Sequence, residues 1–266
     1  MAIKIKTTEE IEIIRANGVI LANTLAMVAK ELKPGMNGLY LDKLAEAFIR
    51  DHGGEPSFKG YGGFPATLCI SVNEEVVHGM PNARGFRETD MVSIDTGVFK
   101  NGYHADSAYS FAFTNVTEPV LKLLRVTKES LYLGIEAAIE GNRTGDIGFV
   151  IQEYCERKNG YRCVRELVGH GVGKTLHEDP QVPNYGKRSE GPKLPSNCVI
   201  AIEPMVNLGR KDVYTKSDKW TIATQDHKPS AHFEHTICVK AAQADILTTF
   251  APIEEAIKLN EYLVFV

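Results

Sequence analysis

Four carboxylates and one imidazole, Asp95, Asp106, His170, Glu203 and Glu234, each lie in a short β-like or glycine-rich segment, and together they could hold two divalent metal ions. Such a set would perform metal-assisted hydrolysis. Asp95 and Asp106 share the stretch from Met91 to Asp106. Its Asn101-Gly102 pair is a strong hairpin signal, because both residues tolerate positive φ in a type I′ turn. With those two residues as the whole loop, Lys100 pairs with Tyr103 and Asp106 falls opposite Gly97, whose missing side chain leaves room. Asp95 is then diagonal to Asp106 on the same face. Cross-strand diagonal neighbours lie about 7–8 Å apart, near enough to share ions. Two carboxylates so placed repel unless a cation intervenes; a solvated acidic pair on an exposed strand face is the alternative.

Glu203 ends the apolar run from Cys198 to Ile202, and Glu234 sits inside the run from Ala231 to Val239. Buried-looking strands rarely carry unpaired acids. His170 lies in Val168-Gly169-His170-Gly171-Val172-Gly173, where flanking glycines would let the backbone bend and free the imidazole to approach a ligand. A lone histidine is more often a hydrogen-bonded structural residue. One imidazole among four carboxylates, however, makes a mostly hard-oxygen donor set, which suits Mn²⁺ or Fe²⁺ better than a thiolate-rich or three-histidine zinc site would.

The elements that must position these groups are legible from their caps and periodicity. Thr7 and Glu10 form a capping box ahead of Ile11, Ile14, Gly18, Leu21, Leu25 and Val28, which recur at helical spacing. Lys33-Pro34-Gly35 ends that helix. A second helix, with Leu41, Leu44, Ala45 and Phe48 on one face, stops at His52-Gly53-Gly54. The same features return 106 residues later: Gly141 follows Gly35 by that interval, Ile147 follows Leu41, Tyr154 follows Phe48 and Gly160 follows Gly54. Val92 to Asp95 likewise resembles Ile200 to Glu203 at a displacement of 108. An internal duplication over 7–113 and 119–240 would give two α+β halves related by a pseudo-twofold axis, with their acidic strands converging. Chance likeness between amphipathic helices is the alternative. Thr114 to Pro119 is too short to separate domains, so 1–266 reads as one catalytic domain. The tail, 241–266, holds a helix-like stretch and ends Leu263-Val264-Phe265-Val266, which must pack somewhere or invite association.

Composition excludes several classes. Cys69, Cys155, Cys163, Cys198 and Cys238 are odd in number, irregularly spaced and free of any Cys-x-x-Cys pair, so reduced thiols are expected rather than a disulfide framework or zinc ribbon. The N-terminus lacks a signal-peptide core, and no stretch is expected to reach the roughly 18 apolar residues of a membrane span. A soluble, cytoplasmic protein is the expectation. A net charge of −4 argues against a broad nucleic-acid grip.

Seven motifs in order make the chain similar to the methionine aminopeptidases: Asn73 to Pro81, Asp95, His104-Ala105-Asp106, Gly169-His170-Gly171, His177-Glu178, Ile202-Glu203-Pro204 and Phe233-Glu234-His235-Thr236. It resembles the type I form, because the 31 residues from Glu203 to Glu234 leave no space for the helical insertion of type II enzymes. It also lacks the N-terminal zinc-binding extension of the eukaryotic cytosolic form. The resemblance implies the pita-bread (creatinase/aminopeptidase) fold, α+β, with antiparallel strands covered by helices. It implies a cytoplasmic, monomeric enzyme that removes initiator methionine from nascent polypeptides when the second residue is small, near the ribosomal exit tunnel, without membrane or nucleic-acid specificity.

By the same resemblance Asp95 binds one metal, His170 and Glu203 bind the other, and Asp106 and Glu234 bridge both. Mn²⁺, Fe²⁺ or Co²⁺ are the expected ions, with Zn²⁺ as an alternative. A hydroxide between them attacks, Glu203 moves the proton, His177 donates to the substrate carbonyl and His78 contacts the backbone amide. Phe58, Tyr61, Phe64, Cys69, Leu176 and Trp220 occupy the positions of the methionine pocket, with Phe58 where some relatives have cysteine and Leu176 where some have phenylalanine. A monovalent cation is implied near the carbonyls of Asn73, Glu75 and Ser230. The rival readings are an X-Pro aminopeptidase or creatinase-like hydrolase, for whose extra N-terminal domain Met1 to Lys33 is too short, and a catalytically silent module, which would have lost metal ligands.

Overall fold

Asn101 and Gly102 both take positive φ, 52° and 83°, and close a hairpin between β4 (Met91–Lys100) and β5 (Tyr103–Phe113). Its register is the expected one: Lys100 lies opposite Tyr103, Gly97 opposite Asp106 and Asp95 opposite Ala108. The space left by Gly97 is filled by Ser57, whose Cβ would lie 2.7 Å from a Cβ at that position. The computed structural model describes residues 2–266. In it β4 is flanked by β1 (Glu55–Pro56) and β2 (Cys69–Val72), and β5 by β16 (Leu263–Val264).

The second acidic pair comes from an interrupted ladder rather than a tight hairpin. β9 (Val199–Ile202) pairs with β14 (His235–Cys238), ending at Ile202 opposite His235. β10 (Met205–Asn207) and β13 (Ser230–His232) resume pairing with Met205 opposite His232. The step from one pair to the other is three residues on each strand, so the register is unbroken and Glu203 faces Glu234 across the gap. Residues 208–229 leave this ladder to form β11 (Val213–Thr215) and β12 (Ile222–Thr224), which pair with each other, and β12 pairs in turn with β3 (Glu75–Val77). β15 (Asp245–Ile246), β7 (Gly169–Gly171) and β8 (Glu178–Val182) complete the sheet of β9 and β14, and β6 (Arg162–Cys163) that of β10 and β13.

Hydroxyls join the two ladders. Ser110 Oγ donates to His232 O at 2.7 Å and accepts from His232 N at 3.0 Å, Ser107 Oγ donates to Glu234 O at 2.7 Å, and Thr236 Oγ1 donates to Asp106 O at 2.7 Å. Glu234 N donates to Ala108 O at 3.0 Å. Each bond is worth only about 1 kcal/mol net, but all are buried and adjacent, so they set one strand against the other at the acidic residues.

Helices cover the strands. α1 (Thr8–Glu31) begins at the Thr7–Glu10 capping box, and its predicted stripe, Ile11, Ile14, Gly18, Leu21, Leu25 and Val28, is wholly buried. α2 (Gly38–Asp51) packs on α1 and β1, while α3 (Glu118–Ala137) and α4 (Thr144–Gln152), the latter continued by a π-helical turn over Glu153–Lys158, pack on each other, α3 covering β9, β10 and β13 and α4 covering β8. Contrary to the sequence expectation, α1 is long and apolar enough to cross a membrane, with a mean hydropathy of 1.4 in its apolar window. The apolarity serves the core instead: Asn17 Nδ2 donates to the carbonyls of Lys100 and Tyr103, at 2.9 Å each, tying the helix to the first hairpin. The tail packs within the chain, as α5 (Ala251–Leu259) lies on α1, β16 pairs with β5, and Lys128 Nζ donates to Val266 O at 2.9 Å. All five cysteines are buried free thiols.

Gly18 marks the tightest approach of α1 to the tail, since a Cβ there would lie 2.4 Å from Leu247 O. Helix propensity alone favours Gly18→Ala by up to ~1 kcal/mol, whereas a clash with fixed backbone costs about 1–3 kcal/mol. The variant is therefore expected to melt several degrees lower by calorimetry; an unchanged or higher midpoint would show that the tail yields.

Candidate metal centre

Asp95, Asp106 and His170 come from β4, β5 and β7, and Glu203 and Glu234 from the two sides of the break in the second ladder. His170 Nε2 lies 3.8 Å from Asp106 Oδ2 and 3.6 Å from Glu203 Oε1. Donor atoms of Asp106, His170 and Glu234 all fall within 4.8 Å of one another. Asp95 stands diagonal to Asp106 on the same face of the first hairpin, and the charge of Asp106 adds to burial in raising its pKa. Asp106 and Glu234 are almost fully buried, at 3% and 2% exposure.

Burial, and after it the charges of neighbouring carboxylates, pushes Asp95, Glu203 and Glu234 well above the usual carboxylate range. Burial pushes Asp106 up to about 7. His170 is depressed to about 3, again by burial first and then by His177. Its Nδ1 lies 3.0 Å from Gly171 O; a carbonyl can only accept, so the proton sits on Nδ1 and the Nε2 lone pair points at the carboxylates. The flanking glycines serve close packing rather than freedom to bend, since a Cβ at Gly169 would lie 2.4 Å from Ala201 O and one at Gly171 2.3 Å from Asp179 O.

This set fits a divalent cation. Asp95 Oδ1, Asp106 Oδ1 and Glu234 Oε1 are buried without a hydrogen-bond partner. Among the described residues no lysine or arginine pairs with any of the four acids. Buried unpaired carboxylates cost several kcal/mol each. A hard cation coordinated by these oxygens and by His170 Nε2 would remove that cost.

Beside the carboxylates lies a small apolar cluster separate from the main core. Phe58, Phe64, Ala66, Cys69 and Leu176 are buried in it, with Met80 and Trp220 packed against them. Phe64 and Trp220 meet edge to face at 5.2 Å. Cys69 pairs with Asp95 across β2 and β4, joining the cluster to the acids. Of the six sequence-predicted pocket residues, only Tyr61 stands outside: it is 44% exposed, and its hydroxyl lies 2.8 Å from His177 Nδ1. Ala66 and Met80 were missed, although Met80 lies inside the quoted Asn73 to Pro81 motif.

His177 packs edge to face on His170 at 4.2 Å. His78 is near it, with φ of 56° in the left-handed region that few non-glycine residues adopt. Asn73 and Ser230 are also brought together, with Ser230 N donating to Asn73 O at 2.9 Å. A further histidine escaped sequence reasoning: His232 is buried, and its Nε2 lies 3.7 Å from Glu203 Oε2. The available signal was its place two residues before Glu234, on the same strand face.

The model of metallopeptidase family M24 matches residues 12–241. A methionine aminopeptidase from Clostridium acetobutylicum is 50% identical over 245 residues, covering 92% of this chain and 98% of the relative. The crystal structure of a methionine aminopeptidase from Thermotoga maritima superimposes with a TM-score of 0.91 at 42% identity, covering 93% of this chain and 100% of that one. An X-Pro aminopeptidase from Thermotoga maritima shares the fold at a TM-score of 0.73 and 20% identity, over 92% of this chain but 62% of its own.

The carboxylates give a pH signature to the metal-free protein. Asp106 is raised from 3.8 to about 7. A raised pKa means that stability present below the unfolded value is lost as pH climbs through the folded one. Asp106→Asn abolishes that loss. In metal-free protein its melting midpoint should match the wild type near pH 4 and exceed it by a margin that widens up to about pH 7; a margin independent of pH would contradict the assignment.

Proposed function

The chain belongs to the methionine aminopeptidases of metallopeptidase family M24 and has their pita-bread α+β fold, and from that premise we propose that it removes N-terminal methionine from polypeptides whose second residue is small, using two divalent ions. The observation that carries this reading is the adjacency of two sites: buried acids with unsatisfied oxygens, and an apolar cluster joined to them through the Cys69–Asp95 pair.

Asp95 would hold one ion, His170 and Glu203 the other, and Asp106 and Glu234 both. Mn²⁺, Fe²⁺, Co²⁺ and Zn²⁺ all accept such donors. When bound, the ions supply Lewis acidity that makes water nucleophilic near neutral pH. Glu203 accepts a proton readily because burial and Asp106 favour its neutral form, and it can return that proton to the leaving amine. Tyr61 donating to His177 Nδ1 would leave the His177 proton on Nε2, free to stabilise charge on the scissile carbonyl oxygen. His78 would contact the substrate amide. Phe58, Phe64, Cys69, Leu176 and Trp220 would enclose the thioether, which makes modestly favourable contacts with ring edges, and Tyr61 would act at the rim. A monovalent cation near Asn73, Glu75 and Ser230 belongs to the same reading, as do nascent chains near the ribosomal exit as substrates, a cytoplasmic location and a monomeric state. The two acidic ladders are read as products of an internal duplication.

Metal-reconstituted protein should release methionine from Met-Ala-Ser, leave methionine followed by a bulky residue intact, and ignore Xaa-Pro peptides; excess chelator should abolish turnover. No methionine release with any divalent metal would overturn the reading, and preferential Xaa-Pro cleavage would replace it. Glu203→Gln should lower kcat by about 10²–10⁴-fold while the variant still folds. Full turnover in that variant would remove Glu203 from the proton path.

A further inference from the structure

His232 is the buried polar group at the site for which the proposed chemistry has no use. It is 2% exposed, its Nε2 has no hydrogen-bond partner, and its backbone is held on both sides by Ser110 Oγ, so the ring is rigidly placed. Its Nε2 lies 3.7 Å from Glu203 Oε2, while His170 Nε2 lies 3.6 Å from Oε1 of the same carboxylate. Glu203 is thus bracketed by two imidazoles.

The registers give that position a meaning. In the first ladder Asp95 is opposite Ala108, and Asp106 precedes Ala108 by two residues on the same face. In the second, Glu203 faces Glu234, and His232 precedes Glu234 by two residues. His232 therefore stands to Glu203 as Asp106 stands to Asp95, at the diagonal from which a side chain reaches its neighbour's carboxylate. A neutral imidazole carries one N–H, and the unpartnered Nε2 is free to be that donor.

We propose that His232 is a positioning residue: it donates a hydrogen bond from Nε2 to Glu203 Oε2, fixing which oxygen of Glu203 faces the metal site and which carries the proton. The proposal rests on the aminopeptidase reading of Glu203. A small rotation of the carboxylate brings the 3.7 Å separation to the hydrogen-bond range of about 2.7–3.2 Å. The donor satisfies an otherwise orphaned buried nitrogen, and the acceptor gains orientation that His170, whose Nε2 bears no proton, cannot provide.

The test compares His232→Leu, which removes the donor, with His232→Gln, whose amide N–H reaches a similar distance. His232→Leu should lower kcat about 10–100-fold with KM within about threefold, and His232→Gln should restore most of the loss. In a Glu203→Gln background, His232→Leu should cost almost nothing more, because both act through one group. Independently of turnover, ¹⁵N spectra of metal-free protein should show a protonated His232 Nε2 whose shift moves on Glu203→Gln. Near-normal kcat in His232→Leu, a glutamine variant as slow as the leucine one, multiplicative losses in the double variant, or an Nε2 signal indifferent to Glu203 would each overturn the proposal. If wild-type protein releases no methionine, the aminopeptidase reading fails, and the spectra still decide whether the hydrogen bond exists. If His232→Leu does not fold, the glutamine variant and the spectra carry the test.

Discussion

Mutual repulsion among four carboxylates held out of water is the constraint on which the rest of the structure depends. Acids so placed either take up protons or find a cation. Their surroundings leave little room for another way out, since no lysine or arginine pairs with them among the described residues and three of their oxygens lack any partner. Without a cation, whichever of the acids stay charged push the strands apart. The hydroxyl contacts of Ser107, Ser110 and Thr236 oppose that movement where the force is greatest. The structure thus holds the ligands in place against their own charge, a local cost that a well-packed core can sustain.

The same rigidity explains the position of the apolar cluster. Cys69 is set opposite Asp95 by strand pairing rather than by a loop, so the wall of the proposed pocket and one of the acids belong to a single sheet. The remaining walls come from less regular chain. Phe58 and Phe64 flank a segment in which Gly60, Gly62 and Gly63 all take positive φ, and Leu176 and His177 share the turn before β8. A pocket with one fixed wall and several loop-borne ones can keep its distance to the acids constant while its shape is tuned, so a phenylalanine at position 58 and a leucine at 176 need not disturb the acids.

Legibility in the sequence followed how locally each feature is determined. The first hairpin could be read to the residue, because Asn101-Gly102 permits one turn geometry and the register follows from it. The Thr7–Glu10 cap and the buried stripe of α1 were equally local. The second ladder was not legible in this way: residues 208–229 separate its strands, and nothing within those residues announces that pairing resumes where it stopped. The reason for Gly169 and Gly171 was misjudged, since the atoms that forbid a side chain there, Ala201 O and Asp179 O, are distant in the chain. That Tyr61 turns its hydroxyl to His177 was not legible, because composition does not show which way an aromatic residue on a glycine-rich loop will turn. The apolarity of α1 was underestimated as a possible span, and only its packing shows what that apolarity serves.

The break in the second ladder places the acids and hands three of the freed backbone groups to other partners. A continuous ladder would direct the Glu203 and Glu234 main chains at each other, and Pro204 has no N–H to sustain one. The freed groups find other partners: Glu234 N donates to Ala108 O, Glu234 O accepts from Ser107 Oγ, and Glu203 O accepts from Asn184 Nδ2 at 2.9 Å. Two of these three bonds cross to the first ladder. The interruption that lets two carboxylates sit opposite each other therefore also binds the second acidic strand to the first, so the geometry of the site and the cohesion of the two ladders have one origin. Buried backbone groups must be satisfied somewhere. Here the two bonds that satisfy Glu234 also bring Asp106 and Glu234 onto neighbouring strands, where a shared cation becomes the natural complement of the fold.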